Sequence, residues 1–251
     1  MGVTTYRLHP DHRGEVRELI ASVERSDGEA PLSEYKAMRL DGRLDARERV
    51  VFDPDGSIIA YGQAAWHRGS SERPGHWAIE IVVEPGAREM GVGRELIEAL
   101  RVESPNSPMT LWARSPYAAA AARSAGWQKH RELLEMRRPL PIDCPKVSFD
   151  DLELTTFGIG DDEGAWLAAN NAAFAGHPEN GSMTRRDLEE RIAQPWFDAA
   201  GFFLVWDQDQ LAGSCWTKIH DDGSGEIYLV GVVPQYEGRG LGQALVCHGL
   251  E

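Results

Sequence analysis

The sequence is poor in cysteine: Cys144, Cys215 and Cys247 are odd in number, widely spaced and without His or Cys neighbours at metal-ligand spacing. That excludes a disulfide framework and argues against a zinc site, so reduced thiols acting as small buried hydrophobes are expected. Long apolar runs are missing too. Nothing approaches the ~20 residues of a membrane span, and the N-terminus MGVTTYRLHPDHRGEV lacks the apolar centre of a secretory signal, so a cytoplasmic location is expected. Basic residues are scarce against acidic ones, with 26 Lys plus Arg, 40 Asp plus Glu and a formal charge of -14. A field of that sign repels polyphosphate chains and anionic lipid heads, which turns the reading away from nucleic acid and membrane partners. An anionic cofactor would have to be held by local backbone dipoles. What is present, 42% hydrophobic and 26% charged residues over 251 positions, suits an ordinary globular protein of one large or two modest domains.

A repeat decides between one domain and two. IEIVVEPGAREMGVGREL at Ile79 to Leu96 and IYLVGVVPQYEGRGLGQAL at Ile227 to Leu245 describe the same local object: a β-branched strand, a proline, a glycine-rich loop and a helix-forming stretch. Superposing Pro85 on Pro234 brings Gly91 onto Gly240 and Gly93 onto Gly242 without a gap. Between the copies, Pro139, Pro141 and Pro145 rule out a helix or central strand and mark a linker. The expected organisation is a first domain over 1–140, a linker at 141–146 and a second domain over 147–251 that ends inside its own motif helix.

The first domain reads as strand Thr5 to Leu8, helices near Glu15 to Ser22 and Ser33 to Leu40, and strands at Val50 to Phe52 and Ile58 to Ala65. The motif strand and helix follow, then strand Thr110 to Ala113, an Ala-rich helix Tyr117 to Ser124 and a last strand near Leu133 to Arg137. The second repeats this order: strand Leu152 to Thr156, helices Glu163 to Phe174 and Arg185 to Ala193, and a meander through Phe203, Trp216 and Tyr228. Thr184 with Asp187 has the form of a capping box. The expected fold class is α/β with mixed, mostly antiparallel sheets.

A helix N-terminus carries about half a positive charge and unpaired N–H groups, and glycines let a phosphate approach them. Arg88-x-x-Gly91-x-Gly93 resembles the [QR]-x-x-G-x-[GA] signature of the GNAT acetyltransferases, which use it for the diphosphate of coenzyme A. The resemblance implies two tandem GNAT domains and acetyl-CoA as co-substrate, with no metal. It implies contacts from Ile81, Val82, Val83, Arg88, Glu89, Met90, Gly91, Val92, Gly93 and Arg94 in the first copy. In the second it implies Val230, Gly231, Val232, Glu237, Gly238, Arg239, Gly240, Leu241, Gly242 and Gln243. Glu237 departs from the pattern, standing where Gln or Arg is usual; Arg239 could compensate, or the carboxylate could point to solvent. A Rossmann site is disfavoured because neither loop has the full G-x-G-x-x-G pattern.

Strand alternation puts Glu226, Tyr228, Val230 and Val232 on one face. Glu226 lies eight residues before Pro234 and corresponds to Trp77, while Glu80 has the opposite parity. Arg123 stands where many GNAT enzymes place a tyrosine general acid. The first copy therefore reads as a cofactor-binding or structural domain, and Glu226 as general base of the second. Taken alone, a carboxylate at a strand start is ordinarily solvated.

Asn170 to Gly181 (NNAAFAGHPENG), Trp216 to His220 (WTKIH), the GEIYLVGV strand and Asp27 to Glu34 resemble the mycothiol synthase branch of the GNAT family. That likeness implies acetyl transfer to the cysteinyl amine of cysteinyl-glucosaminyl-inositol. It also implies that Glu34, Glu179, Lys218 and Glu226 contact this thiol-sugar substrate from both domains. His177 and His220 read as turn or hydrogen-bonding residues, and Trp166, Phe174, Trp196 and Trp216 as core. A monomer is expected. Two alternatives stay open: an N-acetyltransferase of another small-molecule or peptide amine, and a non-catalytic coenzyme A binding fragment.

Overall fold

The computed structural model describes residues 3–41, 46–69, 74–103, 107–144, 149, 151–177 and 182–251. The chain divides into two compact units, Met1–Arg68 with Gly75–Leu133, and Gly69–Pro74 with Leu134–Glu251.

In the first unit β1 (Tyr6–Arg7), β2 (Ala46–Phe52), β3 (Ile58–His67), β4 (His76–Val83) and β5 (Met109–Leu111) form one sheet in the order β1-β2-β3-β4-β5. All neighbours are antiparallel except β4 and β5. Helix α1 (Arg13–Asp27) lays Val16, Leu19 and Val23 on one face of this sheet, against Val50, Tyr61 and Val82. The spacing of those residues gives a single apolar stripe. Gly28 stops the helix, with φ +74° and its N–H on the Glu24 carbonyl at 2.8 Å. After the single turn α2 (Glu34–Ala37), helix α3 (Val92–Val102) covers the opposite face with Leu96, Ile97 and Leu100 on Ala60, Ile79 and Ile81. Helix α4 (Pro116–Ser124) joins it through Ala118, Ala121 and Ala122.

The second unit repeats this plan. Strands β6 (Glu153–Thr156), β7 (Phe202–Asp207), β8 (Gln210–Ile219) and β9 (Gly225–Val232) make an antiparallel sheet in sequence order. Helices α5 (Glu163–Ala173) and α6 (Arg185–Ile192) cover one face, where Trp166 and Leu188 meet Phe202, Leu204 and Trp216. Helix α7 (Leu241–Gly249) covers the other with Leu241 and Leu245 on Val205, Ala212 and Cys215. Each large side chain so buried is worth roughly 1.5–3 kcal/mol relative to exposure. The Thr184 capping box is formed, its hydroxyl accepting from the Asp187 amide at 3.3 Å while Asp187 accepts from the Thr184 amide at 2.9 Å.

One expected element is absent. Residues 128–138 are described and contain no strand; Leu134 and Met136 are 79% and 90% exposed. Their apolar spacing suggested a strand, but a strand exists only where a neighbouring edge accepts its hydrogen bonds, and among the described residues none does. Cys215 and Cys247 are buried, as expected of small hydrophobes, whereas Cys144 is only partly so.

Candidate active site

Both glycine loops fold the same way. After β4, a 3-10 turn (Pro85–Ala87) leads to Gly91, which caps α3 at φ +84°; after β9, Pro234–Tyr236 leads to Gly240, which caps α7 at φ +80°. Only glycine adopts these left-handed backbones without a steric penalty. Neither helix has a side-chain cap on its first amides. The helix dipole and the first amides at these caps favour an anion.

Helix α4 presses on the cradle of the first copy. In the first, a cavity of about 840 Å³ is lined by Arg88, Gly91, Gly93, Ser115 and Tyr117 among others. Burial raises the Tyr117 phenol's pKa, opposed by the nearby Gly93 amide and by Arg88. A Cβ on Gly93 would stand 2.8 Å from the Tyr117 oxygen and 3.1 Å from the Ala121 Cβ, whereas one on Gly242 would meet only Val232, at 3.7 Å. Arg88 does not reach across the loop. Its Nη1 and Nη2 donate to Asp27 at 3.0 and 2.6 Å, and its Nε donates to the Val83 carbonyl at 3.2 Å. The Arg88 side chain is tied to Asp27 and to the end of β4 while still lining the cavity. Glu237, its counterpart, is exposed, as are its loop neighbours Gly238, Arg239 and Gly240. Arg239 lies with its guanidinium carbon 5.5 Å from the Tyr236 ring.

The strands leading into the loops also differ, and here strict alternation fails. β3 and β4 pair without interruption from Ala60↔Val83 to His67↔His76. β8 and β9 shift register at Trp216/Thr217: Trp216 faces Leu229, Thr217 faces Ile227, and Tyr228 is the extra, bulged residue. Glu226 consequently pairs with Lys218 and shares the face of Trp216, Leu229 and Gly231, beneath α5 and α6. Val230 and Val232 lie on the α7 face. The expectation that Glu226, Val230 and Val232 share a face is overturned, because a one-residue bulge inverts side-chain parity beyond it.

The parity argument against Glu80 falls with it. Glu226 lies eight residues before Pro234, which is seven ladder steps once Tyr228 is subtracted; Glu80 lies five before Pro85, and both counts are odd. Both carboxylates stand on the face covered by the first helices of their units. Their surroundings separate them. Glu80 is buried and accepts from the Ser33 amide and hydroxyl at 2.6 Å each, while buried Lys36 donates to the neighbouring Ala78 carbonyl. Burial raises the Glu80 pKa, opposed by Lys36 and Ser33; burial lowers the Lys36 pKa to about 8, opposed by Glu80. Glu226 is open, its side chain 44% exposed, with Oε2 2.8 Å from His220 Nε2. Beside it the Lys218 ammonium lies 4.3 Å from the Trp196 ring and 5.7 Å from that of Tyr228, close enough for cation–π attraction.

Lys218 and Glu226 are thus brought together at one end of β9, with the glycine loop at the other. Glu34 opens α2 in the first unit, half-buried. Glu179 lies outside the described residues. Asn171, in the same motif, has a scaffolding place: its side chain donates to the Met183 carbonyl at 2.9 Å and accepts from the Met183 amide at 3.0 Å. Trp166 and Trp216 are fully buried, as expected of core, but Phe174 and Trp196 are only partly so. Asp27 behind Arg88, Tyr117 over Gly93 and Trp196 beneath Lys218 were not readable as partners, since no local spacing links residues so far apart in the chain. Among the described residues no group of three or more His, Cys, Asp or Glu could hold a metal, and no helix is long and apolar enough to cross a membrane.

Two copies of a strand, an uncapped amide cradle and a helix define an acyl-CoA dependent acetyltransferase fold, and the Acetyltransferase (GNAT) family matches residues 15–121 and 166–251. The chain belongs to that family. It is 39% identical over 257 aligned residues to the mycothiol acetyltransferase of Geodermatophilus obscurus, covering 97% of this chain and 82% of that protein. To the mycothiol acetyltransferase of Thermomonospora curvata it is 42% identical over 240 residues, covering 94% and 78%. In structure it resembles a tandem GNAT protein from the clavulanic acid biosynthesis pathway, with TM-score 0.65 and 19% identity over 99% of this chain and 85% of that one.

Proposed function

We propose that this chain is an acetyl-CoA dependent N-acetyltransferase that acetylates the cysteinyl amine of cysteinyl-glucosaminyl-inositol, the last step of mycothiol formation. The observation that carries the chemistry is the β9 arrangement: an open carboxylate, Glu226, on the strand that runs into an uncapped amide cradle. Similarity to mycothiol acetyltransferases over nearly the whole chain supports the choice of substrate.

The cradle fits a diphosphate because Gly238 and Gly240 hold left-handed backbones and a Cβ-free Gly242 leaves the α7 amides approachable. The bound cofactor supplies an acetyl group activated as a thioester. Gly238 to Gln243 hold the diphosphate, and Val230 to Val232 offer backbone groups to the pantetheine arm. Glu226 takes the proton of the incoming amine at a carboxylate oxygen. An α-amine with pKa near 7.7–8.0 needs only about 1 kcal/mol to be neutral at pH 7, against about 4.6 for a lysine amine, so one carboxylate suffices. Lys218 and Glu226 are the proposed contacts of the second unit to the sugar and inositol hydroxyls. The first unit serves as cofactor-binding or structural support, through Ile81 to Val83 and Arg88 to Arg94. Its carboxylate, Glu80, is engaged by Ser33 beside Lys36 and has no room for an acceptor.

Mass-spectrometric assay of acetyl transfer to cysteinyl-glucosaminyl-inositol tests the assignment. Glu226→Gln is expected to lower kcat by about 10² to 10⁴ with acetyl-CoA affinity nearly unchanged. Transfer to unrelated amines with none to this substrate would overturn the substrate, and unchanged turnover would overturn the base.

A further inference from the structure

We infer that His220 is the positioning residue for Glu226, fixing which carboxylate oxygen is offered to the amine; this rests on Glu226 being the base. Glu226 cannot be held by packing, because its side chain and that of His220 are 44% and 42% exposed. A glutamate has three side-chain torsions, and at such exposure nothing but a hydrogen bond selects among them. His220 supplies that bond. Its Nε2–H donates to Oε2 at 2.8 Å, in either the imidazolium or the neutral form protonated at Nε2. Oε1 is left for the amine.

The hairpin is built to keep the imidazole there. Lys218 faces Glu226 across β8 and β9, and His220, two residues on, lies where the chain leaves β8. The turn closes on itself: the His220 amide donates to the Ser224 carbonyl, and the Gly223 amide to the His220 carbonyl, at 2.9 Å each. Gly223 holds φ +81°. Asp222 Oδ1 accepts from the Ser224 amide at 2.9 Å and hydroxyl at 2.6 Å. Those two bonds hold the Asp222 carboxyl below the usual carboxylate range, with smaller contributions from His220 and Arg137. Around this pair Lys218 stands opposite Glu226 and Asp222 lies within electrostatic reach of His220, with Arg137 acting on Asp222. A self-bonded turn carrying its histidine back onto the strand carboxylate is the arrangement a base needs when it sits at a mouth and not in a core.

The test is steady-state kinetics on the full chain with His220→Ala and His220→Gln, alone and combined with Glu226→Gln, each variant first shown to melt like the parent. His220→Ala should lower kcat about 10- to 100-fold with the KM for acetyl-CoA within twofold. His220→Gln, whose amide can still donate, should recover most of that loss. In the Glu226→Gln background His220→Ala should cost less than a further twofold, because residues acting as a unit are not additive. Parental turnover in His220→Ala, an equal loss in both backgrounds, or no recovery with Gln would each overturn the positioning role. If Glu226→Gln itself turns over normally, the base assignment has failed; if it is impaired while His220→Ala is not, that assignment stands and only this inference falls.

Discussion

Lys36 is fully buried, and its ammonium is met by the Ala78 carbonyl and the nearby charge of Glu80. Removing one partner of such a pair leaves an uncompensated charge, so Lys36→Met should destabilise by about 3–5 kcal/mol, and Lys36→Met with Glu80→Leu should recover much of it. The pH dependence has a definite sign. Burial lowers the Lys36 pKa from 10.5 to about 8, so between those values the unfolded chain binds a proton that the folded one has released. Stability from this residue therefore rises as pH climbs from about 8 towards 10.5. Below about 8 both states carry the proton, and burial of the ammonium is a constant cost. Urea unfolding of the parent and the double variant at pH 7.5 and 9.5 checks this: the parent should gain about 1–2 kcal/mol on the variant. A constant difference would mean that Lys36 keeps its charge in the folded protein. The sequence shows Lys36 and Glu80 as ordinary charges; only the closure of α2 over β4 makes them a buried pair.

At the scale of elements, the two glycine loops share a backbone and differ in what presses on them. Gly93 is crowded by Tyr117, Ala121 and Ile81, two of them from α4. Gly93→Ala should therefore lower stability by about 1–3 kcal/mol through overpacking. Gly242→Ala, whose methyl would stand at an ordinary 3.7 Å from Val232, should cost less stability than Gly93→Ala. Denaturant titration of both variants checks this; equal stability losses would show that the close contacts at Gly93 relax without cost. The loops were legible because Pro, Gly and β-branched residues enforce local geometry within a few positions. So was the α6 start, where Thr184 and Asp187 bond reciprocally. The β9 bulge was not, because a register shift is a property of two strands and Tyr228 carries no mark of it. From that one residue follow the face of Glu226 and the kinship of Glu80. The missing strand at Leu133 to Arg137 fails for the same reason: apolar spacing is local, and a partner edge is not.

At the largest scale, a net charge of -14 opposes the approach of the proposed anionic cofactor. Added salt screens that repulsion, with a Debye length near 10 Å at 0.1 M. The association rate of acetyl-CoA in stopped-flow measurement should consequently rise with ionic strength; a fall would mean that local positive potential governs capture. The sequence alone determined the duplicated α/β plan, the uncapped glycine cradles and the family, because these rest on periodicity, turn chemistry and motif spacing, all written within a few tens of residues. The tertiary structure decided which carboxylate is open and which is buried, that Arg88 braces a loop, and that His220 meets Glu226. Those are consequences of register and burial, which arise only when segments distant in the chain pack and exclude water.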